Sequence, residues 1–170
     1  MKEELELNEI IDEIFESLKF AKIKQSKFVR FMEQQDDPYV VLIACILSLR
    51  TNDVTTYPAT MKMLQLASTP QEMMNVDEEE LAETIYPVGF YKNKAKQIIA
   101  LSKKIVNEYN GKVPNSIDEL LKFDGVGRKT ANLVMAKGFN EPAICVDVHV
   151  HRIFNRLGLV NTKTPEETEM

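Results

Sequence analysis

The sequence predicts an all-α fold, and three observations support this. Apolar residues recur at the 3.6-residue period of an amphipathic helix over most of the 170 residues. Capping residues and Gly or Pro breakers separate these segments at helix-length intervals. The apolar residues 143–146 stand outside the helical patterns, but they are too few and too isolated to force a sheet. We therefore expect helices joined by short connections.

Three helical patterns precede residue 50. The first covers about residues 4–19, and its apolar positions form one stripe. The members of that stripe include Leu7, Ile10, Ile11, Ile14 and Leu18. A short amphipathic helix over residues 27–34 follows, and Asp36-Asp37-Pro38 ends it and caps the next segment. That segment, residues 39–49, is apolar nearly throughout, which indicates a buried helix.

The later helices have recognisable starts and ends. Their predicted extents are residues 53–66, two short helices capped at 68–70 and 76–77, residues 92–109, a helix opened by a capping box at Ser116 and Glu119, residues 129–137 and residues 147–157. Asn110-Gly111, Gly138 and Gly158 are expected to close helices, because glycine readily adopts the left-handed conformation found there. Residues 164–167 resemble the start of one more helix.

Charge is distributed unevenly along the chain. The net charge of −5 argues mildly against a nucleic-acid partner. Residues 1–83 carry a net charge of −9, however, whereas residues 84–163 carry a net charge of +7. A phosphate-binding face needs local basicity rather than a basic protein. Charge alone would favour the simpler interpretation, a solvated lysine face.

Composition argues against several other classes of protein. The chain has no 18-residue apolar run, which predicts no membrane span, and its acidic N-terminus is unlike a signal peptide. Cys45 and Cys145 both lie in apolar runs and are expected to be buried free thiols of a reducing compartment. No residue spacing suggests a metal site. We therefore expect a cytoplasmic protein.

The most informative segments are FDGVGRKTAN at residues 123–132 and VDVHVHR at residues 146–152. Residues 124–127 are expected to form a tight turn, and a helix begins directly after it. Main-chain N–H groups at a helix N-terminus bind anions readily. A cation in the first turn is unusual there, so we expect the pKa of Lys129 to be depressed by the helix dipole and by Arg128. Asp147 supplies a carboxylate that could serve this lysine.

These two segments resemble the endonuclease III family of helix–hairpin–helix DNA base-excision glycosylases. Three further segments match the family in the same order, namely residues 47–54, residues 89–95 and residues 110–114. The resemblance covers roughly residues 10–168. The resemblance implies a two-lobed glycosylase fold, with a six-helix barrel lobe and an incomplete second lobe. It implies the following divisions: an N-terminal helix of the second lobe (1–24), the barrel lobe with the hairpin (25–140) and the start of the C-terminal lobe (141–170).

The resemblance also implies the chemistry. Lys129 would displace the damaged base, form a Schiff base at the sugar C1′ and cut the lesion strand by β-elimination. Asp147 would stabilise the positive charge that develops on the sugar, or move protons during the displacement. Without the resemblance, the simpler interpretation of Lys129 is a surface lysine that contacts phosphate, and that of Asp147 is a helix cap. Both roles of Asp147 can hold, since one oxygen can cap the helix while the other faces the site.

Further residues are expected to contact DNA. The hairpin candidates are Gly125, Val126, Gly127, Arg128 and Thr130. Asp124 departs from the family, which usually has proline at its position.

Arg50 stands where the family often has a glutamine that fills the void left by a flipped nucleotide, and Phe90 stands where an apolar wedge enters the opposite strand. The simpler alternatives are a plain turn for the hairpin, a surface ion pair for Arg50 and a core aromatic for Phe90.

The resemblance has a limit at the C-terminal end. The family usually continues for about forty residues and ends in four cysteines that bind a [4Fe–4S] cluster, and none of these cysteines is present. Either the chain is part of a longer protein or the protein lacks the cluster lobe. No cofactor or metal is therefore expected in this chain. The stripe of the N-terminal helix would lack its usual cover, so we expect it to repack or to support self-association.

The sequence leads us to expect a bifunctional DNA glycosylase and AP lyase that acts on damaged, oxidised pyrimidines. Its partner would be double-stranded DNA containing damaged bases or abasic sites. Two alternatives remain open: a monofunctional glycosylase for a mismatched base, and a non-catalytic DNA-binding module. Lys129 argues against the first alternative, because such enzymes usually carry another residue at its position.

Overall fold

The all-α prediction is confirmed. The computed structural model describes residues 9–14, 16–17 and 24–170, and these residues contain no β-strand. Residues 9–14 and 16–17 are helical. The remaining described residues form α1 (Lys27–Glu33), α2 (Pro38–Ser48), α3 (Asp53–Leu66), α4 (Pro70–Met73), α5 (Glu78–Ile85), α6 (Tyr91–Glu108), α7 (Ile117–Leu120), α8 (Arg128–Gly138), α9 (Val148–Arg156) and α10 (Pro165–Glu169).

Helix α2 lies at the centre of the fold. Every residue from Tyr39 to Leu47 is buried, as its continuous apolar sequence predicts. Asp37 caps the helix: its Oδ1 accepts hydrogen bonds from the N–H groups of Tyr39 at 2.8 Å and Val40 at 3.3 Å. Pro38 occupies the first turn, where the missing N–H has no acceptor in any case. Helices α3, α6 and α8 pack around α2.

The packing of α8 on α2 corrects our expectation for Gly138. This glycine does not end α8 in a left-handed conformation but is the last residue of the helix. A Cβ at Gly138 would lie 2.6 Å from the Cα of Pro38, so the two backbones approach too closely for any side chain. Asn140, with φ of 53°, adopts the left-handed conformation beyond the helix end.

The predicted capping box at Ser116 is wrong. Ser116 is the N-cap of α7, but its side chain makes no capping hydrogen bond. Glu119 instead accepts from the Tyr109 hydroxyl at 2.9 Å and pairs with Lys122. A capping box is present at α4, where Thr69 and Glu72 satisfy each other's main-chain N–H groups.

The predicted glycine turns at two other helix ends are confirmed. Gly111 has φ of 75° after α6, and Gly158 has φ of 71° after α9. Residues 143–146 form no strand, as expected. Cys45 is buried as predicted, whereas Cys145 is only partly buried. The expectation for Cys145 was therefore wrong, because its apolar run lies in the connection before α9 rather than in the core.

The N-terminal stripe is described only in part. Ile10 is 41 % exposed, and Ile11 and Ile14 are partly exposed. Leu7 and Leu18 lie outside the described residues. That this helix supports self-association remains a prediction. The division of the chain at residues 24 and 140 also remains a prediction. Among the residues that the structure describes, no helix is both long and apolar enough to span a membrane.

The Gly138 contact yields a prediction about stability. In an open helix, Gly→Ala usually gains up to about 1 kcal/mol of stability. Here Gly138→Ala should lower the free energy of unfolding by about 1–3 kcal/mol, because the new methyl group overpacks the contact with Pro38. Urea unfolding of the two proteins measures the difference. Gly127→Ala is the control, since its added Cβ meets nothing within 4 Å and should cost clearly less. A Gly138→Ala protein that is more stable than wild type would contradict the proposed close packing.

Candidate active site and nucleic-acid interface

The glycine turn before α8 has the geometry that the sequence predicts. Gly125 has φ of 74°, in the left-handed region, and the N–H of Val126 donates to the carbonyl of Phe123 at 3.1 Å. Val126 is buried beneath the turn. From α6, the side-chain amide of Gln97 donates to the Asp124 carbonyl and helps to hold the loop. The turn is thus fixed both from inside and from the neighbouring helix.

The start of α8 exposes main-chain donors. Gly127 is the N-cap and has no side chain to accept from the first turn. Ala131 is the first residue of this turn whose N–H bonds back to the Gly127 carbonyl. The N–H groups before it form the end of the helix that attracts anions. This arrangement suits a phosphate group next to residues 127–130.

Lys129 and Asp147 come together at this helix start. The Nζ of Lys129 lies 3.1 Å from Oδ2 of Asp147, and the Lys129 side chain is 57 % exposed. The other oxygen, Oδ1, accepts from the N–H groups of His149 at 2.9 Å and Val150 at 3.0 Å. The prediction that Asp147 caps α9 is confirmed, and its second oxygen faces the lysine as anticipated.

Asp147 is ionised at neutral pH in this arrangement. The hydrogen bond from the Val150 N–H contributes most to lowering the pKa of Asp147, and Lys129 lowers it further. A carboxylate held in this state can stabilise a cation beside it. That Lys129 reacts as a neutral amine stays a prediction.

Arg128 is paired with a different carboxylate. Its guanidinium binds Glu169 of α10 through two hydrogen bonds, with Nε 3.1 Å from Oε2 and Nη2 2.5 Å from Oε1. The ion pair lowers the pKa of Glu169. Glu169 offsets the charge of the guanidinium, and the expected effect of Arg128 on Lys129 stays a prediction. The DNA contact expected of Arg128 stays a prediction.

Thr130 lies in the first turn of α8. Its side chain is buried at 6 % exposure, so it packs beneath the helix start instead of facing solvent. A direct contact between the Thr130 hydroxyl and a phosphate is therefore not open in this conformation. Gly125 and Gly127 lie in the exposed turn, whereas Val126 can contribute only through its main chain.

Arg50 and Phe90 form a second part of the site. They lie in different connections, yet the Arg50 guanidinium carbon stands 5.8 Å from the centroid of the Phe90 ring. Phe90 is 60 % exposed, which excludes the alternative of a core aromatic. Both residues have left-handed backbones, with φ of 53° for Arg50 and 58° for Phe90. Such conformations are uncommon for bulky residues and often occur at functional sites.

Lys94 is a further residue of this region, and the sequence motifs did not identify it as a site residue. It is buried on α6, behind the connection 49–52 between α2 and α3, which we call the Arg50 loop, and its ammonium group donates to main-chain carbonyls at the end of α2. The helical period could have indicated it, since Lys94 lies four residues before Ile98 and seven before Leu101 on the buried face of α6, whereas Lys92 and Lys96 are exposed.

The chain does not fit an iron–sulfur cluster. A [4Fe–4S] cluster needs four thiolate ligands, and the sequence has two cysteines. Burial raises the pKa of both thiols, that of Cys45 to about 12, which disfavours the thiolate form. In the described part of the chain, no three His, Cys, Asp or Glu side chains are grouped so that they could hold a metal ion.

Comparison with known proteins supports the resemblance drawn from the motifs. Residues 43–170 match the profile of the HhH-GPD superfamily of base excision DNA repair proteins. Endonuclease III of Thermotoga maritima is 50 % identical over 136 residues, which make up 80 % of this chain. That alignment spans 64 % of the relative's length.

Solved structures give the same result. A non-covalent endonuclease III–DNA complex and a trapped endonuclease III–DNA covalent intermediate each match with a TM-score of 0.80 and 34 % identity. Each match covers 97 % of this chain and 74 % of the solved one. The profile match extends over most of the chain and includes both Lys129 and Asp147. This protein therefore belongs to the HhH-GPD superfamily of base excision DNA repair proteins.

Proposed function

We propose that this protein is a DNA glycosylase with AP-lyase activity that removes oxidised pyrimidines from double-stranded DNA. The observation that carries the proposal is the Lys129–Asp147 pair, 3.1 Å apart at the start of a helix that follows a glycine turn. The turn offers N–H groups to a backbone phosphate, and the lysine lies immediately beside them. A nucleotide bound there would present its sugar to the amine.

The chemistry follows from these positions. Lys129 attacks C1′ of the flipped nucleotide, the bond from C1′ to the base breaks, and the base leaves. Asp147 remains a carboxylate beside the sugar and stabilises the positive charge that develops there. The amine then forms a Schiff base with the opened sugar. Loss of a C2′ proton and expulsion of the 3′ phosphate complete the β-elimination.

Flipping requires a group that fills the space left in the duplex. Arg50 and Phe90 suit this task because they are exposed and adjacent. The planar Arg50 guanidinium can stack and donate hydrogen bonds to the orphaned base, and Phe90 can enter the opposite strand as an apolar wedge. We infer a cytoplasmic location, at the nucleoid if the cell is prokaryotic.

The alternatives differ in the role they give to Lys129. A monofunctional glycosylase has no need of an amine at this position, and a binding module has no need of a carboxylate 3.1 Å from it. The neighbouring endonuclease III structure trapped as a covalent intermediate with DNA also favours the lyase, because covalent capture requires a nucleophile.

Lys129→Gln should abolish crosslinking to abasic DNA under borohydride, because no amine remains to form the Schiff base. Abasic-site binding should stay within about tenfold of wild type, roughly 1.4 kcal/mol, since the main-chain phosphate contacts remain. Gel electrophoresis of the reduced complex measures the first quantity and fluorescence anisotropy the second. Lys62→Gln, at an exposed lysine outside the basic half, is the matched control and should crosslink normally. Crosslinking that survives in Lys129→Gln would place the nucleophile elsewhere.

Asp147→Asn should lower turnover by about 10²–10⁴, the range expected for a positioned acid or base. The substitution keeps an oxygen that can cap α9 but removes the negative charge facing Lys129. Single-turnover release of an oxidised pyrimidine from duplex DNA measures the effect, and the melting temperature reports whether the cap is retained. Turnover close to wild type would show that Asp147 only caps the helix.

DNA affinity should depend steeply on salt if the basic half of the chain binds the duplex. Each phosphate neutralised adds about −0.9 to the slope of log affinity against log salt concentration. Titrations at four or more salt concentrations give this slope. A slope near zero would contradict binding through residues 84–163.

A further inference from the structure

Lys94 is unusual because a lysine is rarely buried without a carboxylate partner. Lys94 is only 5 % exposed, and its ammonium group makes one hydrogen bond to the last turn of α2 and two to the Arg50 loop. Nζ donates to the carbonyls of Leu47 at 2.8 Å and Leu49 at 2.5 Å, and to the hydroxyl of Thr51 at 3.2 Å. Burial lowers the pKa of Lys94 to about 8, so the ammonium form still dominates at pH 7. Its three donors meet three acceptors.

These contacts hold the turn that carries Arg50. Leu47 is in the last turn of α2 and Leu49 is its C-cap, so the ammonium satisfies carbonyls that a helix end leaves without a partner. A cation at this position also opposes the negative end of the helix dipole. Arg50 lies between Leu49 and Thr51, both of which bind Lys94. Its left-handed backbone is therefore fixed on either side by one ammonium group.

The same lysine is joined to Phe90. The main-chain N–H of Lys94 donates to the Phe90 carbonyl at 3.0 Å, in the first turn of α6. Thr51 adds a second connection, because its hydroxyl accepts from the N–H of Gly89 at 3.1 Å. A Cβ at Gly89 would lie 2.9 Å from the Arg50 carbonyl, so the two loops touch along their main chains. Lys94 thus forms hydrogen bonds with the Arg50 loop and with Phe90 at the point where their two connections touch.

We propose that Lys94 is a positioning residue that fixes Arg50 and Phe90 relative to each other, and that it thereby supports extrusion of the target nucleotide from duplex DNA. The inference rests on the proposed function for the roles of these two exposed side chains. It assigns no chemical step to Lys94, which is buried behind the loops. Its loss should let the left-handed turn relax, so that the guanidinium and the ring no longer enter the duplex together.

The test compares duplex with single-stranded abasic DNA, because a single strand has no opposite strand to penetrate. Lys94→Met removes the charge and the donors but keeps a chain of similar length. Its rate of borohydride trapping should fall about 10- to 100-fold on the duplex, as for a misplaced positioning group, and stay close to wild type on the single strand. Arg50→Ala and Phe90→Ala should show the same selectivity. Lys62→Met makes the same chemical change at an exposed lysine and should alter neither rate.

Two outcomes would overturn the inference. Equal losses on both substrates would show that Lys94 only supports the fold, and unchanged rates on both would show that the loops do not depend on it. If Lys94→Met fails to fold, Thr51→Val takes its place, since it removes one acceptor of Lys94 and the acceptor of the Gly89 N–H. Thr51→Val should also slow borohydride trapping on the duplex more than on the single strand, but by a smaller factor. Equal losses on the two substrates, or no loss on either, would again overturn the inference.

A second readout separates this inference from the proposed function. In a Lys129→Gln background, 2-aminopurine opposite the abasic site reports insertion into the duplex without any chemistry. Adding Lys94→Met should reduce its fluorescence change at saturating protein, and an unaltered change would contradict the positioning role. If the wild-type chain traps neither substrate, the proposed lyase fails, whereas the fluorescence comparison still tests Lys94.

Discussion

The burial of α2 on all sides constrains the rest of the structure. A helix that is apolar around its whole circumference must be covered on every face, and α3, α6 and α8 provide much of that cover. Its N-terminal end meets α8 at the contact between Pro38 and Gly138. Its C-terminal end leads directly into the Arg50 loop. The helix that carries Lys129 and the loop that carries Arg50 are therefore both placed by the same buried element.

The charges around the hairpin are arranged against the helix dipole. The first turn of α8 has two adjacent cations, Arg128 and Lys129, where the dipole favours anions. Two carboxylates from later helices compensate them, Glu169 for Arg128 and Asp147 for Lys129. The two pairs differ in exposure: the side chains of Arg128 and Glu169 are 34 % and 10 % exposed, whereas those of Lys129 and Asp147 are 57 % and 29 % exposed. The first pair suits a structural role, and the second remains accessible to a substrate.

Local patterns in the sequence were sufficient to predict several features. The capped and buried α2, the left-handed Gly125 and the Asp147 cap all depend on neighbouring residues, so periodicity and cap chemistry revealed them. The two motif segments suggested Asp147 as a partner for Lys129, and the family resemblance supplied their chemical roles, since no local periodicity predicts a contact across eighteen residues. The endonuclease III resemblance itself agrees with the profile and the solved structures.

Other features depend on contacts between distant segments, and no local pattern encodes them. Glu169 reaches Arg128 across 41 residues of sequence, and Lys94 reaches the Leu47 carbonyl across 47. Gly138 was misassigned because its role depends on Pro38, a hundred residues earlier. The capping box at Ser116 failed because Glu119 has stronger partners in Tyr109 and Lys122. In each case tertiary contacts override a local signal.

The central claim is that the amine placed beside Asp147 by the glycine turn is the nucleophile. Peptide mapping of the borohydride-reduced adduct between the wild-type chain and abasic DNA tests this claim most directly. The account predicts that the sugar remnant is on Lys129, in a tryptic peptide spanning residues 129–137 that remains uncut after its first residue. An adduct located instead on another lysine or on the terminal amine would contradict the account.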